Sequence, residues 1–134
     1  MNNKRKYNLK TTSSPKFTSA FNEKSIARLL AKHGYLLSKK DTAEVTKFVL
    51  ANPDMLNDLK LTPDAVRKYF NNFKLRLELY TDHVEKYSVL YILIENELSV
   101  QEAFAKEREL FRGFFKTIYT RNKGKITISQ TGRN

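Results

Sequence analysis

Basic and amide side chains recur at helical spacing after residue 66. If this stretch is helical with Val66 facing inward, its exposed side carries Arg67, Lys68, Asn71 and Lys74. In the major groove of DNA, arginine pairs well with guanine and asparagine with adenine, whereas lysine often contacts phosphate. The pattern therefore predicts a surface that binds nucleic acid and contacts base edges.

The residues that would position this surface occupy positions 52–71. Five positions that a helix-turn-helix buries are apolar here, namely Met55, Leu59, Leu61, Val66 and Tyr69. Thr62 would cap the second helix, and Pro63 would fill its first position, where no N–H is needed. The stretch thus resembles helix-turn-helix DNA-binding domains, and LTPDAVRKY resembles the start of their recognition helix. An ordinary helix and loop followed by a capped long helix is the alternative.

The net charge of +11 lies in the two ends of the chain. Residues 1–20 carry five Lys or Arg and residues 112–134 carry six, without an acid, whereas fourteen bases and fourteen acids cancel in residues 21–111. Because each neutralised phosphate releases counterions, basic ends add sequence-independent affinity for a nucleic acid. Solvated tails would explain the same charge. A membrane partner is not expected, since neither end forms an amphipathic helix.

The nucleic-acid-binding prediction combines these ends with the helix-turn-helix, and DNA is favoured over RNA. The predicted binding residues are Lys4, Arg5, Lys6, Lys10, Lys60, Thr62, Arg67, Lys68, Asn71, Lys74, Arg121, Lys123 and Lys125.

Helix signals bracket this region on both sides. A first helix is predicted over residues 22–33, ending at Gly34, and a second from Ser38 to the residues before Pro53. A short third helix is predicted over residues 54–59. Near the other end, SVQE at residues 99–102 indicates a capping box that begins a last helix reaching Arg121.

The strongest periodic pattern runs from Val66 to Leu98, where apolar residues recur in alternating steps of four and three. It predicts a helix of about 35 residues that forms an antiparallel hairpin with the last helix. The apolar surface of this hairpin predicts a homo-oligomer, unless the N-terminal helices cover it. The predicted contact residues are Leu77, Tyr80, Val84, Tyr87, Tyr91, Ile94, Phe111 and Phe115.

After this hairpin, Ile126 and Ile128 alternate with polar residues and predict one short strand. A single strand is not stable alone, so it needs a strand from another copy or another protein, or stays disordered.

These patterns predict an all-α protein with an N-terminal helix-turn-helix-like bundle followed by a long antiparallel helical hairpin. The expected parts are a flexible basic arm (residues 1–20), a helical bundle leading into the helix-turn-helix (21–62), the oligomerising hairpin (63–122) and a basic tail with the strand (123–134). In the order of these parts, the chain is similar to small terminase subunits of tailed phages. This resemblance implies a ring that binds a viral genome for packaging. A plasmid or phage regulator would have the same DNA-binding parts.

No residue pattern indicates catalysis. The chain has no Cys, and neither His33 nor His83 has companions at metal-ligand spacing. We therefore expect a non-enzymatic protein without cofactor or metal, and the basic, polar start of the chain predicts an intracellular location or a virion. The alternative function is a virion component or scaffold that assembles through the hairpin and contacts nucleic acid non-specifically.

Overall fold

A four-stranded mixed sheet crosses the fold, so the predicted all-α class is wrong. The computed structural model describes residues 22–133. Its elements in chain order are α1 (Glu23–Lys32), β1 (Tyr35–Leu36), α2 (Lys39–Ala51), α3 (Met55–Arg67), β2 (Phe73–Asp82), β3 (Tyr87–Ser99), α4 (Val100–Leu110), a π-helical segment (Phe111–Phe115), α5 (Lys116–Arg121) and β4 (Ile126–Arg133).

The strands lie side by side in chain order, from β1 to β4. The β1–β2 and β3–β4 pairs are parallel, whereas β2 and β3 form an antiparallel hairpin from Phe73 opposite Asn96 to Asp82 opposite Tyr87. The predicted strand at the C-terminal end is confirmed, but the partner expected for it is wrong. It pairs with β3 of its own chain, beginning where Leu90 lies opposite Ile126.

The long helix predicted for residues 66–98 is instead α3's last turn and two strands. KLRLEL, residues 74–79, alternates charged residues with leucine, which is the period of a half-buried strand. Asp82 then ends β2, because its carboxylate accepts hydrogen bonds from the backbone N–H groups of Val84 and Glu85, each at 2.9 Å. Apolar residues are so dense here that a heptad repeat also fits, but the structure follows the strand period.

All strand residues of the hydrophobic core point to one face of the sheet. Opposite pairs such as Leu75 with Ile94 and Leu77 with Ile92 are buried there together with apolar residues of every helix. The other side, which we call the outer face, carries Lys74, Arg76, Glu78 and Tyr80 of β2 and the β3 and β4 residues opposite them. No outer-face side chain described by the structure is buried.

The residues predicted to form oligomer contacts differ in their burial in this fold. Leu77, Ile94 and Phe115 are fully buried in the core, so their assignment to an oligomer contact is wrong. Tyr80, Val84 and Tyr87 are exposed on the β2–β3 hairpin, while Tyr91 and Phe111 are half-buried. The predicted coiled coil is therefore absent from the described residues.

Several local predictions are confirmed. Ser38 caps α2 by accepting a hydrogen bond from the N–H of Asp41 at 3.1 Å, and Ser99 caps α4 in the same way from Glu102 at 3.2 Å. Gly34 follows α1 with φ of 92°, the left-handed conformation expected at a helix end. None of the helices within residues 22–133 is long and apolar enough to cross a membrane.

Candidate nucleic-acid interface

The predicted helix-turn-helix of residues 52–71 does not form as two helices with a turn near Lys60. One helix, α3, runs through it with Pro63 inside. Thr62 is buried, and its hydroxyl donates to the carbonyl oxygen of Asp58 at 2.8 Å, so it neither caps a helix nor reaches a ligand. The turn between helices lies earlier, at residues 52–54, where it joins α2 to α3.

The predicted base-contacting residues do not share one helical face. Arg67 and Lys68 are exposed at the end of α3, but Asn71 follows the helix and Lys74 belongs to β2. Arg67, Asn71 and Lys74 do meet, at a groove of about 450 Å³ beside β1. Arg67 is also paired with Asp64 one turn earlier, whereas Lys74 is in none of the three ion pairs found in residues 22–133.

Arg121 has a structural partner. Its guanidinium pairs with the carboxylate of Asp58, which is 3% exposed, and the side-chain amide of Asn122 donates to the same carboxylate at 2.9 Å. These contacts join the end of α5 to the middle of α3. Lys4, Arg5, Lys6 and Lys10 lie outside the described residues.

Lys123 and Lys125 reach a different place, which we call the hairpin cleft. It has a volume of about 1030 Å³ and lies between the β2–β3 turn and the connection from α5 to β4, with Phe48 of α2 at its side. Lys86 and Tyr87 line it from the turn, and Tyr119 lines it from α5. Residues from three distant parts of the chain therefore form one concave surface.

Backbone conformation places two of the lysines at the cleft. Lys86 closes the β2–β3 turn with φ of 58°, and its N–H donates to the carbonyl oxygen of Asp82 at 2.7 Å. Lys123 has φ of 54° and is followed by Gly124 with φ of 75°. The left-handed region costs a residue with a side chain about 1–2 kcal/mol. Glycine or asparagine is the usual residue at such positions, so both lysines occupy them at a cost in stability.

Backbone hydrogen bonds hold residues 119–125, which form the wall of the cleft opposite the β2–β3 turn, against the sheet. The N–H of Gly124 donates to the carbonyl oxygen of Tyr119 at 2.9 Å, and the N–H of Leu90 donates to the carbonyl oxygen of Lys125 at 2.8 Å. The cleft is thus built on the end of α5 and on the β3–β4 pair, both of which reach the core through Ile118 and Ile126.

The charge of the cleft is positive. Three lysines and His83 line it, and among the described residues that form its walls Asp82 is the single acid. The carboxylate of Asp82 accepts two backbone hydrogen bonds within the turn, from Val84 and Glu85. None of the three ion pairs found in residues 22–133 includes Lys86, Lys123 or Lys125. Lys125 donates a long hydrogen bond of 3.4 Å to the side chain of Asn52.

Two tyrosines present aromatic surface beside these lysines. Tyr87 is 49% exposed and Tyr119 is 41% exposed. The ring of Tyr119 is held edge-on by Phe111, with centroids 5.6 Å apart and planes at 66°. Exposed aromatic rings next to cations can bind flat, anionic ligands.

No family model, curated protein or solved structure matches the chain. No activity can be transferred by analogy, so the function has to be argued from the cleft itself. Among the described residues, no group of three His, Asp or Glu could hold a metal ion.

Sequence reasoning found Lys123 and Lys125 but missed Lys86, Tyr87 and Tyr119. The helical period assigned Tyr87 to an oligomer contact, although the DHVEK run between alternating segments indicates a turn. No local pattern links that turn to Tyr119, because they meet only when β3 and β4 pair.

Arg76, a basic residue of the outer face, is not available to this interface. Its Nε donates to a carboxylate oxygen of Glu95 at 2.7 Å, and this hydrogen bond with the charge of Glu95 raises the pKa of Arg76.

Proposed function

We propose that the chain is a non-catalytic nucleic-acid-binding protein whose folded part contacts phosphates through the hairpin cleft. The observation that carries the proposal is the convergence of Lys86, Lys123 and Lys125, from two segments far apart in sequence, on one concave surface with a single acid among its described residues. Like charges placed together repel unless a counter-charge is bound. A polyanion supplies that counter-charge and releases its own counterions on binding.

This binding mode reads the phosphate backbone rather than the bases. Groove reading by α3 is not favoured, because its exposed side mixes Lys60 and Arg67 with the acid Asp64. The similarity to small terminase subunits depended on a long helical hairpin, which β2 and β3 replace, so genome packaging loses its support. DNA is the polymer to test first and RNA the second, with the basic residues 1–20 adding affinity for either.

The test removes the three cleft charges together. We expect the Lys86→Gln, Lys123→Gln, Lys125→Gln variant to bind DNA more weakly than the unchanged protein in fluorescence anisotropy. The slope of log affinity against log salt should flatten by up to about 0.9 for each phosphate of duplex DNA that the variant no longer neutralises. The matched control removes Lys24, Lys32 and Lys60, which are exposed and do not line the cleft. Equal affinity and equal salt slopes for the two triple variants would refute the proposal.

A second function, assembly with copies of the same chain, is favoured by the outer face. Tyr80 is 51% exposed near the β2–β3 turn and Leu36 is 40% exposed at the sheet edge, so apolar surface faces solvent at both places. Face-to-face packing of two such sheets would bury both residues. Light scattering at micromolar concentration tests this function: a dimer that Tyr80→Lys converts to a monomer supports it, and a monomeric unchanged protein refutes it.

A further inference from the structure

We infer that the hairpin cleft selects unpaired nucleotides, with bases stacked on Tyr87 and Tyr119. The inference rests on the proposed function and adds a substrate class to it. Phosphate contacts by the lysines would not distinguish a single strand from a duplex, whereas the tyrosines would.

The rings of Tyr87 and Tyr119 are accessible to a ligand in the cleft. Both tyrosines are almost half exposed, and both line the same cleft as the three lysines. The faces of bases in a duplex are covered by neighbouring base pairs, so only an unpaired base can stack on a protein ring. A positively charged groove with exposed aromatic rings is the arrangement that binds single strands without sequence preference.

The ring of Tyr119 is oriented before any ligand arrives. Phe111 contacts it edge-on, and the ring also lies over Gly124, where a Cβ would be 3.4 Å from the tyrosine hydroxyl. A side chain fixed in this way loses little conformational entropy on binding. The glycine itself turns the chain through its φ of 75°, and a Cβ there would make only ordinary van der Waals contact with the ring.

The cleft also offers polar groups and sufficient room. The hydroxyls of Thr81 and Ser88 lie 2.9 Å apart and line the cleft between the two walls, where they can hydrogen-bond base edges or phosphates. The volume of about 1030 Å³ is at the upper end of what small-ligand pockets occupy. A short run of nucleotides fits this space better than a lone phosphate ion.

The experiment compares a short oligothymidylate with a duplex of equal length, using the full chain and anisotropy. We expect the single strand to bind more tightly, and Tyr87→Leu or Tyr119→Leu to weaken single-strand binding about 5-fold or more while leaving duplex binding unchanged. Tyr119→Phe keeps the ring and should keep the affinity. Tyr80→Leu is the matched control, since Tyr80 is equally exposed but does not line the cleft.

A spectroscopic signal accompanies these affinities. The chain has no Trp and seven Tyr, so its emission comes from tyrosine and should be quenched when a base stacks. Quenching that Tyr87→Leu and Tyr119→Leu each reduce, but Tyr80→Leu does not, supports the inference.

The two proposals fail in different ways. If single strand and duplex bind equally, and the lysine variant weakens both while the tyrosine variants weaken neither, the stacking inference is overturned and the proposed function stands. If neither polymer binds, both are overturned. Circular dichroism tests whether each variant is folded. If Tyr119→Leu does not fold, Tyr87→Leu still tests the stacking inference, because no described ring of the core packs on Tyr87.

Discussion

The hydroxyl of Tyr35 donates a hydrogen bond of 2.6 Å to the carbonyl oxygen of Leu59, across 24 residues of sequence. In a regular helix this carbonyl would accept from the residue four positions later, but that residue is Pro63, which has no N–H. Tyr35 of β1 thus replaces the missing helical bond. This contact explains how α3 continues through the proline, and it joins β1 to α3 in the core.

Removal of this hydroxyl should destabilise the fold. Tyr35→Phe leaves the buried carbonyl of Leu59 without its partner, and we expect the free energy of unfolding in urea to fall by about 1–3 kcal/mol. Pro63→Ala in the Tyr35→Phe background supplies a backbone N–H and should recover part of the loss. If Tyr35→Phe is as stable as the unchanged protein, both alone and combined with Pro63→Ala, the assigned role of the hydrogen bond is wrong.

The same side chain should make stability sensitive to alkaline pH. Burial raises the pKa of the Tyr35 phenol, and a hydrogen bond with Thr62 offsets only part of this effect. In the unfolded chain the phenol ionises near pH 10, while in the folded chain it stays protonated. Stability from this group is therefore full below about pH 10 and is lost as the pH rises further. Urea unfolding at pH 8 and at pH 11 should show a larger loss for the unchanged protein than for Tyr35→Phe, with the exposed Tyr80→Phe as control.

The contact between Arg121 and Asp58 should contribute more than an exposed ion pair. Arg121→Ala leaves the buried carboxylate of Asp58 with Asn122 as its remaining side-chain partner, so we expect a loss of about 1–3 kcal/mol in chemical unfolding. Arg67→Ala removes a pair with Asp64 in which both side chains are exposed, and it should change stability by about 0.5 kcal/mol or less. Similar losses for the two variants would contradict a structural role for Arg121.

Lys123→Gly should change stability and DNA binding in opposite directions. Lys123 has φ of 54°, which glycine adopts freely, so Lys123→Gly should raise the free energy of unfolding by up to about 1 kcal/mol while weakening DNA binding. Lys125→Gly removes the same charge at a residue without positive φ, so it should weaken binding without the gain in stability. A Lys123→Gly variant that binds DNA as well as the unchanged protein would count against the cleft.

The features recognised from sequence are those that depend on neighbours within a turn of the chain. Ser38 and Ser99 mark helix ends in the structure as they do in the sequence, because each joins its side chain to a backbone N–H three residues away. Gly34 marks a helix end because it adopts the positive φ of a C-terminal cap. The structure differs from the sequence-based predictions where two local patterns compete. KLRLEL supports a strand by its period of two, yet its apolar residues also fit a heptad, and only pairing between Leu77 and Ile92 decides between them.

By itself, the sequence determined the helix caps, the short strand after Gly124 and the location of the excess charge, since each of these is a property of consecutive residues. The tertiary structure alone decided which apolar residues are buried and that Lys86 lies near Lys123. Both results depend on the pairing of β2, β3 and β4, whose partners are distant in the chain. Strand pairing forms hydrogen bonds between segments that carry no local record of one another, so the cleft becomes visible only after the chain has folded.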